Sequence, residues 1–149
     1  RLALLDTAAG ADDDARKQTR RAGIGAAEQG KYGLVIRTML AGLVAPQHLD
    51  TAIAADVLTM AERTGAQAYI RHQHAIMGRI DSRPSLADIA VPTLVGVGAL
   101  DMLTPPALAE EMAAAIAGAQ LVLFAEAGHM STMEAPEAVV AAMSGWMAR

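Results

Sequence analysis

Two short apolar runs with one helical segment between them constrain this 149-residue chain more than any other feature. Thr93 to Gly98 (TLVGVG) follows Pro92, and Ala119 to Phe124 (AQLVLF) follows Gly118. Both are compact and of strand length. Between them Thr104-Pro105-Pro106 reads as a helix start, with Thr104 as N-cap and proline in the first turn. Gly118 is the expected stop. A strand, a helix and a second strand in this order imply parallel pairing through a right-handed crossover. Pro136 then opens a last helix through Val139, Val140, Met143 and Trp146, with Trp146 as a core anchor.

Upstream, Leu2 to Leu5 reads as a further buried strand ending at Asp6-Thr7. ADDDARKQTRRAG then places three acids before a basic cluster, which suits a helix with its acidic end at the positive pole. Asp12 and Asp13 stand four residues before Arg16 and Lys17, the spacing of helical ion pairs, and the basic cluster is expected to be a solvated face. Tyr32 to Leu43 is a second helix. A third is expected from Pro46 through Leu49, Ile53, Val57 and Met60 to Gly65, and a fourth from Ala66 to Met77. No strand pattern interrupts this stretch, and SRPSLADIAVP connects it to the next strand. The expected fold is α/β: about three parallel strands with flanking helices and a long helical insertion lying as a lid over one end of the sheet.

Composition narrows the function. Hydrophobic residues are 53% and aromatics only 3%, so aliphatic side chains and nine methionines must fill the core. A net charge of −4 with no basic stripe argues against nucleic acid. No apolar run approaches the roughly 20 residues of a membrane helix. The absence of cysteine excludes disulfides and thiolate metal sites. No signal peptide is read, and the expected location is cytoplasmic. The chain begins at Arg1 with a strand already in progress, as the later part of something longer would.

In open parallel sheets functional residues gather beyond the carboxyl ends of the strands. Asp101 follows the first of the two strands in GVGALDMLTP, and His129 follows the second in FAEAGHM, 28 residues later. A carboxylate that accepts the Nδ1–H of an imidazole fixes its tautomer and leaves the other nitrogen to act as a general base. Gly128 is expected to turn the backbone sharply enough to aim the ring. Glu126 is the alternative acid, but it lies three residues from the histidine and reads as solvent-facing. His72 and His74 point to different sides of a helix, which discounts a metal site, and His48 has no visible partner. Met102 and Met130 follow the candidate acid and base directly; an acyl pocket and core packing are equal readings for them.

The tail, PTLVGVGALDMLTPP…AEEMAAAIAGAQLVLFAEAGHMSTMEAPEAV, closely resembles the C-terminal part of the α/β-hydrolase fold superfamily. The resemblance covers residues 91–149 well and carries the pattern G-x-x-D-x-x-T-P followed by G-H-x-x-x-x-E-x-P. It places Asp101 at the family's acid position and His129 at its catalytic histidine. LALLDTAA is similar to the family's strand before the cap, which makes residues 1–12 core, 13–90 a helical cap with its connector, and 91–149 the C-terminal core. The implied activity is hydrolysis of an acyl ester or lactone with a small apolar acyl substrate, without cofactor or metal.

The family's nucleophile elbow, G-x-S-x-G, has no counterpart here. Ser82, Ser85, Ser131 and Ser144 are the only serines, none lies between glycines after a strand, and Ser131 reads as a helix-start residue. The oxyanion-hole loop is also missing. The chain alone is therefore expected to be inactive, and whether a serine or an aspartate would be the nucleophile stays open. The other reading is a non-catalytic split or truncated module. It would self-associate, or pair with the missing N-terminal half, through an exposed strand edge.

Overall fold

The computed structural model describes residues 1–148. Three parallel strands, β1 (Leu2–Leu5), β2 (Thr93–Gly98) and β3 (Gln120–Phe124), form one sheet in the order β1-β2-β3. Leu2 pairs with Thr93 at one end of the first ladder, and Gly98 pairs with Phe124 at the end of the second. The central strand β2 is buried at every position, as its unbroken apolar sequence requires.

Alternate residues of β2 face opposite sides of the sheet. Val95 and Val97 join Ala109, Met112 and Ile116 of the segment containing α4 (Pro106–Ala115). On the other face Phe124, Ala127 and Val139 form a second cluster, with Val139 on α6 (Pro136–Met147). Each fully buried Val, Ile or Phe contributes about 1.5–3 kcal/mol. Gly96 makes this second layer possible: a Cβ there would lie 2.7 Å from Leu5 Cδ2 and 2.9 Å from Phe124 Cε2. A four-residue helix, α5 (Ser131–Glu134), precedes α6. Trp146 is buried, with the Arg1 guanidinium 5.8 Å from its ring centroid.

Between β1 and β2 run α1 (Asp14–Glu28), α2 (Tyr32–Leu43) and α3 (Ala52–Met77), which pack against one another. Two sequence expectations are corrected here, and the stop at Gly65 holds. Pro46 opens only a 3-10 turn, Pro46–His48, and α3 starts at Ala52. Gly65 stops the first helical run as expected: its φ of 76° and ψ of 160° are non-helical, and Ala52–Met77 is two helices joined at that kink. Asp12 and Asp13 precede α1, so helical ion-pair spacing does not apply to them. Asp13 instead caps the helix by accepting Arg16 N–H at 2.7 Å, and Asp12 pairs with Arg20 at 2.5 Å. Arg20 therefore leaves the solvated face and donates to Gln73 Oε1 at 2.9 Å, tying α1 to α3.

The end of α2 reaches the carboxyl edge of the sheet. Met130 N–H donates to Leu43 O at 3.1 Å, and Gln47 Nε2 donates to Glu126 O at 2.7 Å. Among the described residues no helix is long and apolar enough to cross a membrane.

Candidate active site

Asp101 and His129 leave the carboxyl ends of the adjacent strands β2 and β3 and meet there. Asp101 Oδ2 accepts the Nδ1–H of His129 at 2.9 Å. The same oxygen takes the Thr104 hydroxyl at 2.7 Å, while Oδ1 accepts the N–H groups of Leu103 at 2.8 Å and Thr104 at 2.9 Å. Thr104 Oγ1 also lies 3.2 Å from His129 Nδ1. The N-cap role expected of Thr104 is thus corrected: Pro105 occupies the cap position of α4, and the hydroxyl braces the acid instead.

Asp101 is sealed and His129 is open. The Asp101 side chain is 0% exposed and that of His129 22%. Burial favours the neutral form of both groups, and it is the largest single influence on each. Opposing it, His129 and the Thr104 donors hold the Asp101 carboxyl below its usual value. The Asp101 hydrogen bond and charge, helped by the charges of Asp6 and Glu134, lift His129 above its usual value. With Nδ1–H committed to the carboxylate, the neutral ring presents a lone pair at Nε2. Such a pair can take a proton from a nucleophile and return it to a leaving group.

Gly128 works differently from the expected sharp turn. It is not among the glycines of positive φ; its need is for room, since a Cβ would lie 2.7 Å from Ala45 N and 2.9 Å from Val44 C. The histidine loop thus lies directly against the chain leaving α2. Glu134 fastens it there: Oε1 accepts Gly128 N–H and Met130 N–H, each at 3.0 Å, and Oε2 accepts Ala45 N–H at 2.7 Å.

Glu134 entered the sequence reading only as the E of the tail pattern and Asp6 only as a strand end, neither with a role, yet both carried a signal. S-T-M-E at 131–134 has the spacing of a capping box, but the box does not form: Met130 is the N-cap, the Ser131 hydroxyl goes to Asp6, and Glu134 accepts the Met130 N–H from four residues on. Asp6 directly follows β1 at the same carboxyl edge, so the rule that singled out Asp101 and His129 applies to it equally. Its Oδ1 accepts Gly98 N–H at 2.9 Å and its Oδ2 accepts the Ser131 hydroxyl.

The remaining candidates separate. Met102 is 75% exposed and lines a cavity of about 720 Å³ with Leu103, Arg16, Arg20, Tyr69 and Gln73. Met130 is half-buried and does not line that cavity. Glu126 is exposed, and Ser131 is buried as the first residue of α5 with its hydroxyl committed to Asp6. His72 and His74 are exposed on α3, and His48 lies in the 3-10 turn. Among the described residues no three His, Asp or Glu side chains gather as a metal site would need.

Comparison with known proteins bears on the fold as a whole. A thermophilic esterase from Thermogutta terrifontis superposes with a TM-score of 0.91 at 28% identity, covering 97% of this chain and 54% of that one. The enol-lactonase of Burkholderia xenovorans LB400 gives 0.87 at 26% identity, covering 99% and 55%. A Mycobacterium tuberculosis protein named as a non-heme bromoperoxidase, BpoC, is 42% identical over 60 residues, 40% of this chain and 23% of its own length. The chain therefore spans about half the length of the two solved structures and a smaller part of the curated relative. The family model described as "Alpha/beta hydrolase family" matches residues 3–142, and on that span the chain belongs to the alpha/beta hydrolase family.

Proposed function

We propose that this chain supplies the acid–base pair of an ester hydrolase. His129 is the general base and then the general acid, and Asp101 is the carboxylate that orients it. The 2.9 Å hydrogen bond from His129 Nδ1 to Asp101 Oδ2, with the ring open on its other side, carries the reading. A hydroxyl nucleophile from a segment outside these 149 residues gives its proton to Nε2 as it attacks the acyl carbonyl. The imidazolium then protonates the departing alcohol, and water repeats the cycle to release the acid. Residues 13–90 form the cap over this centre, with Met102 on the wall of the substrate cavity and Met130 beside the base. The neighbours named as an esterase and an enol-lactonase support an acyl ester or lactone as substrate.

Without a nucleophile the acid–base pair has nothing to activate, so the chain alone is inactive. The test is hydrolysis of p-nitrophenyl acetate by the chain alone and by the chain mixed with the half-fold that carries a nucleophile elbow, each beside His129→Ala. Activity appearing only in the mixture and lost with the histidine is expected. Histidine-dependent activity in the chain alone would contradict the missing-nucleophile reading.

A second reading, a non-catalytic module that pairs through its sheet edge, is favoured by the position of β1. Leu2 and Asp6 donate their N–H groups to Pro92, just before β2, and to Gly96 within it, so the alternate residues Ala3 and Leu5 direct theirs to the opposite, open side. Sedimentation velocity separates the two readings: edge pairing between copies gives a concentration-dependent dimer.

A further inference from the structure

Asp6 is the only non-glycine residue of positive φ among those described, at 46°. That conformation is uncommon outside glycine, and an outlier of this kind costs about 1–3 kcal/mol unless its surroundings hold it. What it accomplishes is visible in the contacts of the side chain. One carboxylate oxygen accepts the N–H of Gly98, the last residue of β2. Gly98 in turn accepts Asp101 N–H at 3.1 Å, so it anchors the turn that presents the acid. The other oxygen accepts the hydroxyl of Ser131, which is 0% exposed and stands two residues beyond His129. Asp6 is thus bonded to the acid's turn on one side and to the base's loop on the other.

We propose that Asp6 is a positioning residue for the acid–base pair, holding the His129 loop in register with the Asp101 turn through Gly98 and the buried Ser131 hydroxyl. It touches neither ring nor substrate and acts through these two contacts and through its charge. The inference rests on the proposed role of His129 but is tested without any catalysis.

Three carboxylates bear on His129: Asp101 from the turn after β2, Asp6 from the end of β1, and Glu134 from α5. Burial raises the Asp6 pKa, with the Ser131 and Gly98 hydrogen bonds opposing it. When ionised, Asp6 stabilises the imidazolium across the site; when protonated it gives up that influence. A packing role alone would involve the two hydrogen bonds and leave the charge without effect on the ring.

The experiment follows the His129 Cε1–H and Nδ1–H resonances by NMR in the intact chain against pH, assigned by comparison with His129→Gln. Asp6→Asn keeps the size of the side chain and an acceptor for Gly98 N–H while removing the charge. It is expected to lower the His129 pKa by about half a unit or more. Ser131→Ala removes the tether and leaves the charge, and is expected to broaden the Nδ1–H resonance by loosening the loop. Wild-type pKa in a folded Asp6→Asn variant, or a wild-type Nδ1–H resonance in Ser131→Ala, would overturn the proposal. Should Asp6→Asn not fold, the Ser131→Ala spectrum decides alone. Loss of the ester-hydrolase reading would leave these spectra unchanged, so the two failures are distinguishable.

Discussion

Replacing Glu134 with alanine tests how the histidine loop is held. The carboxylate accepts three backbone N–H groups from two distant parts of the chain: Gly128 and Met130 beside the base, and Ala45 after α2. Met130 N–H also donates to Leu43 O, so truncation leaves it a partner. Gly128 and Ala45 have no such second acceptor, and Ala45 is 0% exposed. Each buried donor stranded in this way costs about 1–3 kcal/mol, so Glu134→Ala should lose about 2–6 kcal/mol, centred near 4. That is a large share of the roughly 5–15 kcal/mol by which a domain is stable. Glu134→Gln keeps one oxygen but turns an NH₂ toward at least one of the donors, so its cost should be about 1–3 kcal/mol. Urea unfolding followed by circular dichroism reads both. A loss below about 1 kcal/mol for the alanine variant, or a glutamine variant as unstable as alanine, would refute the reasoning.

Further outcomes follow from the same contacts. Gly98→Ala would drive a Cβ onto the carbonyls of Ala127 and Gly128, backbone that cannot swing aside, whereas Gly96→Ala meets the side chains of Leu5 and Phe124, which can. Chemical unfolding should show Gly98→Ala losing about 3 kcal/mol or more, and Gly96→Ala about 1–3. His129, lifted in the folded state, contributes stability that is fully present below its unfolded pKa near 6.5 and is lost as pH rises through the folded value. The stability advantage of wild type over His129→Gln should therefore shrink as pH climbs above about 6.5, and a flat difference would contradict this. Asp12, held below its usual value chiefly by the Arg20 hydrogen bond, should lose its contribution in the opposite direction, as pH falls through its folded pKa. Asp12→Asn should flatten the acid limb of a thermal-unfolding profile.

The strands and the meeting of Asp101 with His129 were legible because each rests on a local signal. An unbroken apolar run marks β2, and position beyond a strand end marks Asp101 and His129. What was hidden depends on distant partners. Thr104 is an exception, since its partner Asp101 stands only three residues back; the residue types there also suit a helix cap, and the acceptor is fixed only when the turn forms. Gly128 was singled out correctly, but its reason lies some eighty residues away at Val44 and Ala45. Arg20 looked solvated within a basic run, although its partner Gln73 arrives from another helix. Gly65, by contrast, was legible from its residue type, because glycine takes a positive φ at little cost and so ends a helical run without a distant partner.

The claim that His129 is a base poised by Asp101 rests on which ring nitrogen carries the proton. Long-range ¹H–¹⁵N spectra of the chain, recorded above the His129 pKa, read this directly. The 2.9 Å contact predicts a protonated Nδ1 and an unprotonated Nε2, with Asp101→Asn disturbing the pattern. A ring protonated at Nε2 in the wild-type chain would contradict it, because the nitrogen open to a nucleophile would then have no lone pair to offer.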